Sequence, residues 1–190
     1  MSKKLAVHIC CGPCAVYPID EWAKEGYDVT GFWYNPNIHP YIEYSKRLES
    51  LKRFAGLKEL GIAYDESYDL DCFLKKVASS PSEPERCYHC YQMRLSRTAE
   101  FAREEGYDLF TTTLSVSPFQ KHDLLKEIGN KVADQNGIRF LYQDFRSGYR
   151  EGRLQAREMG LYLQKYCGCI YSERDRFITI KTKVSLGEHG

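Results

Sequence analysis

The sequence predicts an α/β fold, an open and mainly parallel sheet flanked by helices, and three observations carry that reading. Short apolar runs alternate with helical patterns of ten or more residues, and a parallel strand pair needs a crossover of about that length. The first run, "KLAVHIC", is nearly continuous in apolar residues, as suits a strand covered on both faces. The 190 residues, 43% of them hydrophobic, can bury one full core without disulfides, so residues 1–190 are expected to form one domain with a polar, mainly helical C-terminal part.

The elements follow in order. After the first strand, "AVYPIDEWAKEG" reads as a helix closed by Gly26, and "DVTGFWYN" as a second strand. "HPYIEYSKRLESLKRFAGLKELG" has helical spacing, "IAYDESYD" is a short strand, "DCFLKKVASS" a helix, and "PSEPE" a break. "RCYHCYQMRLSRTAEFAREEG" is one helix with two cysteines at its start. "YDLFTTTLS" is a strand, "PFQKHDLLKEIGNKVADQNG" a helix opened by Pro118, and "IRFLYQD" a last strand. Ligands of such sheets sit beyond the carboxyl ends of the strands. Cys10 and Cys11, Asn35, Ser115 and Ser117, and Asp144 and Arg146 follow successive strands and should converge on one crevice.

Eight cysteines in a chain of this size need an explanation other than stapling. The start "MSKKLAVHICCGPC" is basic, but the apolar stretch behind it is too short and interrupted for a signal peptide or membrane span, so a cytoplasmic protein is expected. In a reducing compartment, clustered cysteines are metal ligands or redox groups. Cys87 and Cys90 form a C-x-x-C at a helix start, where i and i+3 side chains share a face and the dipole favours thiolate. Gly12-Pro13 forces a turn that lets Cys10 and Cys11 face one centre, and Cys14 heads the next helix. Four sulfurs from Cys10, Cys11, Cys87 and Cys90 suit zinc or a 4Fe-4S cluster, and spacing does not choose. Cys167 and Cys169, in "YCGCIYS", can chelate a metal or close a strained, easily reduced disulfide. Cys72 stands alone and reads as packing.

The net charge of +1 hides an asymmetry: from Arg146 to Lys183 nine basic residues face four acids. That strip is either a solvated face or an RNA-facing surface. Arg146, Tyr149, Arg150 and Arg153 partly share a helix face, fit for phosphate oxygens or for simple solvation. "FWYNPNIHP" sets Tyr34, Asn35 and His39 in a Pro-rich turn, which reads as a rigid capped loop or as a pocket wall that stacks a base.

Taken together, "HICCGPC", "WYNPNIHPYIEY", "RCYHCYQMRL", "TTLSVSPFQ", "DFRSGYREG" and "LYLQKYCGCIYS" resemble the QueH-type epoxyqueuosine reductases, in order and over nearly the whole chain. The resemblance implies a fold of HUP or PP-loop type and reduction of epoxyqueuosine to queuosine at the wobble position of tRNA. It assigns Cys10, Cys11, Cys87 and Cys90 to a 4Fe-4S cluster, and makes Cys167 and Cys169 a redox pair or ligands of a second iron, with Cys14 a further ligand. The partners it implies are the anticodon stem-loop of tRNA and a separate electron donor, with no membrane. Opening the epoxide to an alkene and water takes two electrons and two protons. Asp144, His39 and Tyr149 are proton-donor candidates by position. Two rival readings are an ATP-dependent PP-loop enzyme and a structural zinc module that binds RNA. "CCGPCAVY" lacks the glycine and serine run that cradles pyrophosphate, and a closed zinc site leaves the extra sulfurs unexplained.

Overall fold

The computed structural model describes residues 2–187. Five strands, β1 (Lys4–His8), β2 (Asp28–Trp33), β3 (Ile62–Tyr64), β4 (Leu109–Thr112) and β5 (Arg139–Phe140), form one parallel sheet in the order β3-β2-β1-β4-β5. Helices α1 (Gly12–Lys24), α2 (Tyr41–Lys58), α3 (Leu70–Val77), α4 (Glu85–Glu104), α5 (His122–Asn136), α6 (Tyr149–Glu158) and α7 (Ile170–Gly187) supply the crossovers and the C-terminal part. None of the described helices is long and apolar enough to cross a membrane.

The strand order fixes where a ligand can sit. The chain winds outward from β1 through β2 to β3, then returns to place β4 on the other side of β1. The connections leaving β1 and β4 therefore diverge to opposite faces, and the crevice lies beyond these two strand ends. The Cys10-Cys11 segment follows β1 there, and a 3-10 turn (Thr113–Val116) follows β4. Thr112 Oγ1 accepts from Leu114 N–H at 3.2 Å and so caps that turn.

Central strand β1 is buried from Leu5 onward, and the core continues through Trp22, Leu51, Phe54 and Phe110. Close packing of α1 on α2 explains Gly12: a Cβ there would lie 2.6 Å from Ser50 O, inside any permitted contact. The head of α1, with Cys11 and Cys14, is thus pressed toward α2, whose inner face carries the buried pair Glu43 and Arg47.

The third and fourth strands are shorter than the sequence reading and α1 starts earlier, at Gly12, and two further differences have a clear cause. Helix α5 begins at His122 rather than Pro118, because Ser117 Oγ accepts from Phe119 N–H and Ser117 O from Gln120 N–H in a tight turn. The last strand shrinks to Arg139–Phe140, a sheet edge, with Leu141 N–H still donating to Phe110 O at 2.9 Å.

Candidate metal and redox centre

Three of the cysteines form a close group, and four more lie around it. Cys10, Cys11 and Cys14 are buried with all three sulfurs within 4.8 Å of one another. Cys10 and Cys11 Sγ atoms are 3.8 Å apart, and Thr113 Oγ1 approaches Cys10 Sγ at 3.8 Å. Contacts from Cys11 and Cys14 hold the Cys10 thiol well below its ordinary range. Burial pushes Cys11 up, and its two sulfur neighbours push Cys14 up. Such a group makes Cys10 the most acidic of the three thiols, and a bound cation would favour all three as thiolates.

Cys87 and Cys90, one helical turn apart in α4, face Cys167 and Cys169, whose charges weigh on both. Cys90 and Cys169 pack in one small cluster with Phe73 and Val77, while Cys87 packs against the main core that includes Cys10, Cys11 and Cys14. Cys14 joins Cys10 and Cys11, because the Gly12-Pro13 turn feeds straight into α1 and keeps these sulfurs on one helix head, while Arg94 lies beside both Cys10 and Cys90. The helix-start dipole does not make thiolates of Cys87 and Cys90 in the free protein. Burial pushes both up to about 12. Burial also raises Cys167.

The Cys167-Gly168-Cys169 loop is held from three sides. Arg47 donates from Nη1 to Cys167 O at 2.8 Å and from Nη2 to Tyr166 O at 2.9 Å, while its Nε pairs with Glu43 at 2.8 Å. Tyr162 OH closes the set on Glu43 Oε2 at 2.6 Å. Gly168 has φ of +144°, and a Cβ there would press within 3.2 Å of both Arg47 Nη1 and Asn37 Nδ2. Only glycine fits a backbone so placed. Cys169 opens α7: Ser172 N–H approaches its Sγ at 3.4 Å, and Ser172 Oγ donates to its carbonyl at 2.7 Å. Arg86, at the start of α4, ties Asp175 of α7 at 2.9 Å and so draws the two cysteine-bearing helix ends together.

One cavity of about 750 Å³ is lined by Cys10, Cys14 and Cys167. Gln164 Nε2 donates to Cys14 Sγ at 3.1 Å, and Gln120 Nε2 to Cys167 Sγ at 3.4 Å. Buried Arg94 lies among Cys10, Cys90 and Cys167, with Nη2 unpartnered. Asn37 Oδ1 and Gln164 Oε1 are also buried without partners. Seven sulfurs, two buried guanidiniums and these orphaned polar atoms fit sulfur-bound metal carrying negative charge. The sequence reading missed Arg47, Arg94, Gln120 and Gln164. Its available signal was Glu43 four residues before Arg47, on the same stripe as the apolar positions of α2.

The other sequence candidates divide. Tyr149 lines the cavity. Asp144 does not; it is exposed and grips Arg146 through Nε at 3.0 Å. Arg146 and Arg150 are exposed outside the cavity, while Arg153, Lys165 and Arg176 line it. The side chains of Lys181 and Lys183 lie outside the described residues. Asn35 is buried, bonding Ile9 O through Nδ2 at 2.9 Å, and therefore braces the loop after β1. His39 is buried against Tyr68 and Phe73, and Tyr34 is half-buried. The aromatic turn after β2 is thus chiefly a rigid support, because its polar side chains point into the core.

A parallel α/β sheet with a buried cysteine group at its switch-point crevice has the donor set for a sulfur-bound metal. Comparison with known proteins narrows the class. A family model described as Epoxyqueuosine reductase QueH matches residues 5–175. The chain is 37% identical to the Epoxyqueuosine reductase QueH of Dehalococcoides mccartyi over 177 residues, 93% of this chain and 96% of that one. It is 34% identical to that of Thermotoga maritima over 178 residues, 90% of each. The chain belongs to the epoxyqueuosine reductase QueH family. In fold it is similar to a crystal structure of a predicted subunit of tRNA methyltransferase from Methanocaldococcus jannaschii, with a TM-score of 0.55 at 13% identity over 82% of this chain and 75% of the other.

Proposed function

We propose that this chain reduces epoxyqueuosine to queuosine at the wobble position of tRNA, with Cys10, Cys11, Cys87 and Cys90 holding a 4Fe-4S cluster and Cys14, Cys167 and Cys169 serving a second redox or metal site. The observation that carries the reading is the cavity that Cys10, Cys14 and Cys167 line together. Four thiols match the ligand count of a cubane cluster, whereas three leave a cation an open position. When bound, the two centres supply electron transfer and Lewis acidity toward an oxygen ligand.

The reaction removes one oxygen: two electrons from an external donor and two protons convert the epoxide to an alkene and water. The residues of this chain bind, neutralise and protonate. Arg47 and Arg94 offset the thiolate charge inside the protein, which an uncompensated buried site would not tolerate. Arg47 also holds the C-G-C loop through two carbonyls, so Cys167 stays on the cavity and Cys169 beside Cys90. Tyr149 lines the cavity and would donate from its hydroxyl. Burial raises its pKa above the usual phenol value, so it stays protonated at neutral pH and able to donate to the departing oxygen. Arg153, Lys165 and Arg176 meet RNA phosphates at the mouth.

The test is an anaerobic count of iron and sulfide beside conversion of an epoxyqueuosine-containing anticodon stem-loop. Wild type should hold about four sulfides with about five irons. Cys90→Ala should lose sulfide and activity, whereas Cys14→Ala should keep the sulfide and lose turnover. Zinc without sulfide, or a Cys90→Ala protein with its full sulfide complement, would overturn this arrangement.

A further inference from the structure

Phe119 is 77% exposed, the most open large apolar side chain among the described residues. Its loop is nevertheless braced. Phe119 N–H donates to Ser117 Oγ at 3.3 Å and Gln120 N–H to Ser117 O at 3.2 Å. Tyr91 OH donates to Gln120 Oε1 at 2.7 Å and accepts from Lys121 N–H at 3.1 Å. Lys121 Nζ then pairs with Glu83 at 2.7 Å. A large ring held in water by a fixed backbone gains nothing in the free protein and is preorganised for contact with something else.

What that partner is follows from the surroundings. Phe119 lies on the rim of the cavity and meets the ring of Tyr149 edge-on, with centroids 6.1 Å apart. The Arg153 guanidinium stands 5.7 Å over the other ring of this pair, that of Tyr149. Arg153, Lys165 and Arg176 share the wall, and no carboxylate lines the cavity among the described residues. Apolar ring faces amid cations and no anions are the composition of a surface for single-stranded nucleic acid, where bases stack and phosphates pair. A protein partner would be expected to meet some complementary acid or a broader apolar patch.

We propose that Phe119 is a stacking platform for an unpaired nucleobase of the RNA loop, adjacent to the nucleotide that enters the cavity. The inference rests on the tRNA-substrate reading and deepens it: the enzyme recognises an open loop around its target as well as the target itself. Stacking is indifferent to which base is stacked, so the platform serves every loop that presents the modified nucleotide.

Phe119→Trp supplies the probe. The native Trp22 and Trp33 are fully buried, so the new indole is the one exposed to solvent. Its emission should be quenched by an unmodified anticodon stem-loop RNA and much less by a fully paired duplex of equal length. Phe119→Ala should weaken stem-loop binding roughly tenfold and raise KM alike, with kcat changed less than twofold, and Phe119→Trp should restore both. Equal quenching by the duplex, or unchanged stem-loop affinity in Phe119→Ala, would remove the platform. So would a loss confined to reduction by the electron donor, because the rim would then be a protein dock. If wild type neither binds nor converts the stem-loop, the substrate reading itself fails; if it converts the stem-loop while Phe119→Ala matches it, only the platform fails.

Discussion

Tyr149, proposed as the proton donor, lines the cavity together with Cys10 and Cys14. Tyr149→Phe removes the hydroxyl and keeps the ring beside Phe119 and Arg153. Its kcat should fall roughly 10²- to 10⁴-fold, the usual range for a lost general acid, with stem-loop affinity within about twofold of wild type. Single-turnover kinetics would check this, and a Phe variant that turns over normally would move the donor elsewhere. At this scale the sequence announces its cysteines, because clustered thiols have few structural uses in a chain that buries a full core. It does not announce which sulfurs meet. That depends on the Gly12-Pro13 turn entering α1, and on an Arg86–Asp175 ion pair between residues far apart in the chain. Nor does it separate Asp144, which pairs with Arg146 at the surface, from Tyr149, which lines the cavity, since both follow β5.

Helix α2 shows how an element far from the sulfurs in sequence governs their placement. Its Arg47 is fully buried, paired with Glu43 and bound to the carbonyls of Tyr166 and Cys167. Replacing Arg47 with Met removes the three donors and strands a buried carboxylate, which costs about 3–5 kcal/mol. The urea midpoint should drop accordingly, and the double variant Arg47→Met/Glu43→Leu should recover much of the loss by removing the stranded charge. Its C-G-C loop would still lack its anchor, so activity should stay low in both. Full recovery of activity in the double variant would show that the clamp serves stability alone. The alternation of strands and helices was legible because period and length speak for each element separately. The late start of α5 was not, because the Ser117 turn that delays it satisfies the backbone as well as a helix would and leaves Pro118 outside.

For the molecule as a whole, parallel pairing follows from the long crossovers, but the order β3-β2-β1-β4-β5 depends on how the helices pack and is not written in any one segment. The order decides which loops share the crevice, and so the ends of β1 and β4 meet while the side chains following β2 brace the floor. That floor makes a prediction about pH. His39 is buried against Tyr68 and Phe73, neither ring nitrogen has a partner of good geometry, and burial lowers its pKa from 6.5 to about 4. His8, bonded to Thr112 Oγ1 at 2.9 Å, is shifted the same way, to about 3. In both cases the unfolded chain binds a proton before the folded one does. Stability should therefore be full above pH 6.5 and fall as pH drops toward 4, by about 2 kcal/mol at pH 5 for His39 alone. Asp144 and Asp175, which their arginine partners hold below 3.8, contribute stability that is lost only under stronger acid, so the windows separate. His39→Phe should leave stability near neutrality little changed and flatten the decline between pH 6.5 and 5 by roughly half, since His8 remains. Urea titrations of the metal-free protein at the two pH values would decide it: an undiminished slope in His39→Phe would mean that the acid sensitivity belongs to His8 or to the thiols, and that the turn after β2 is more open to water than its packing indicates.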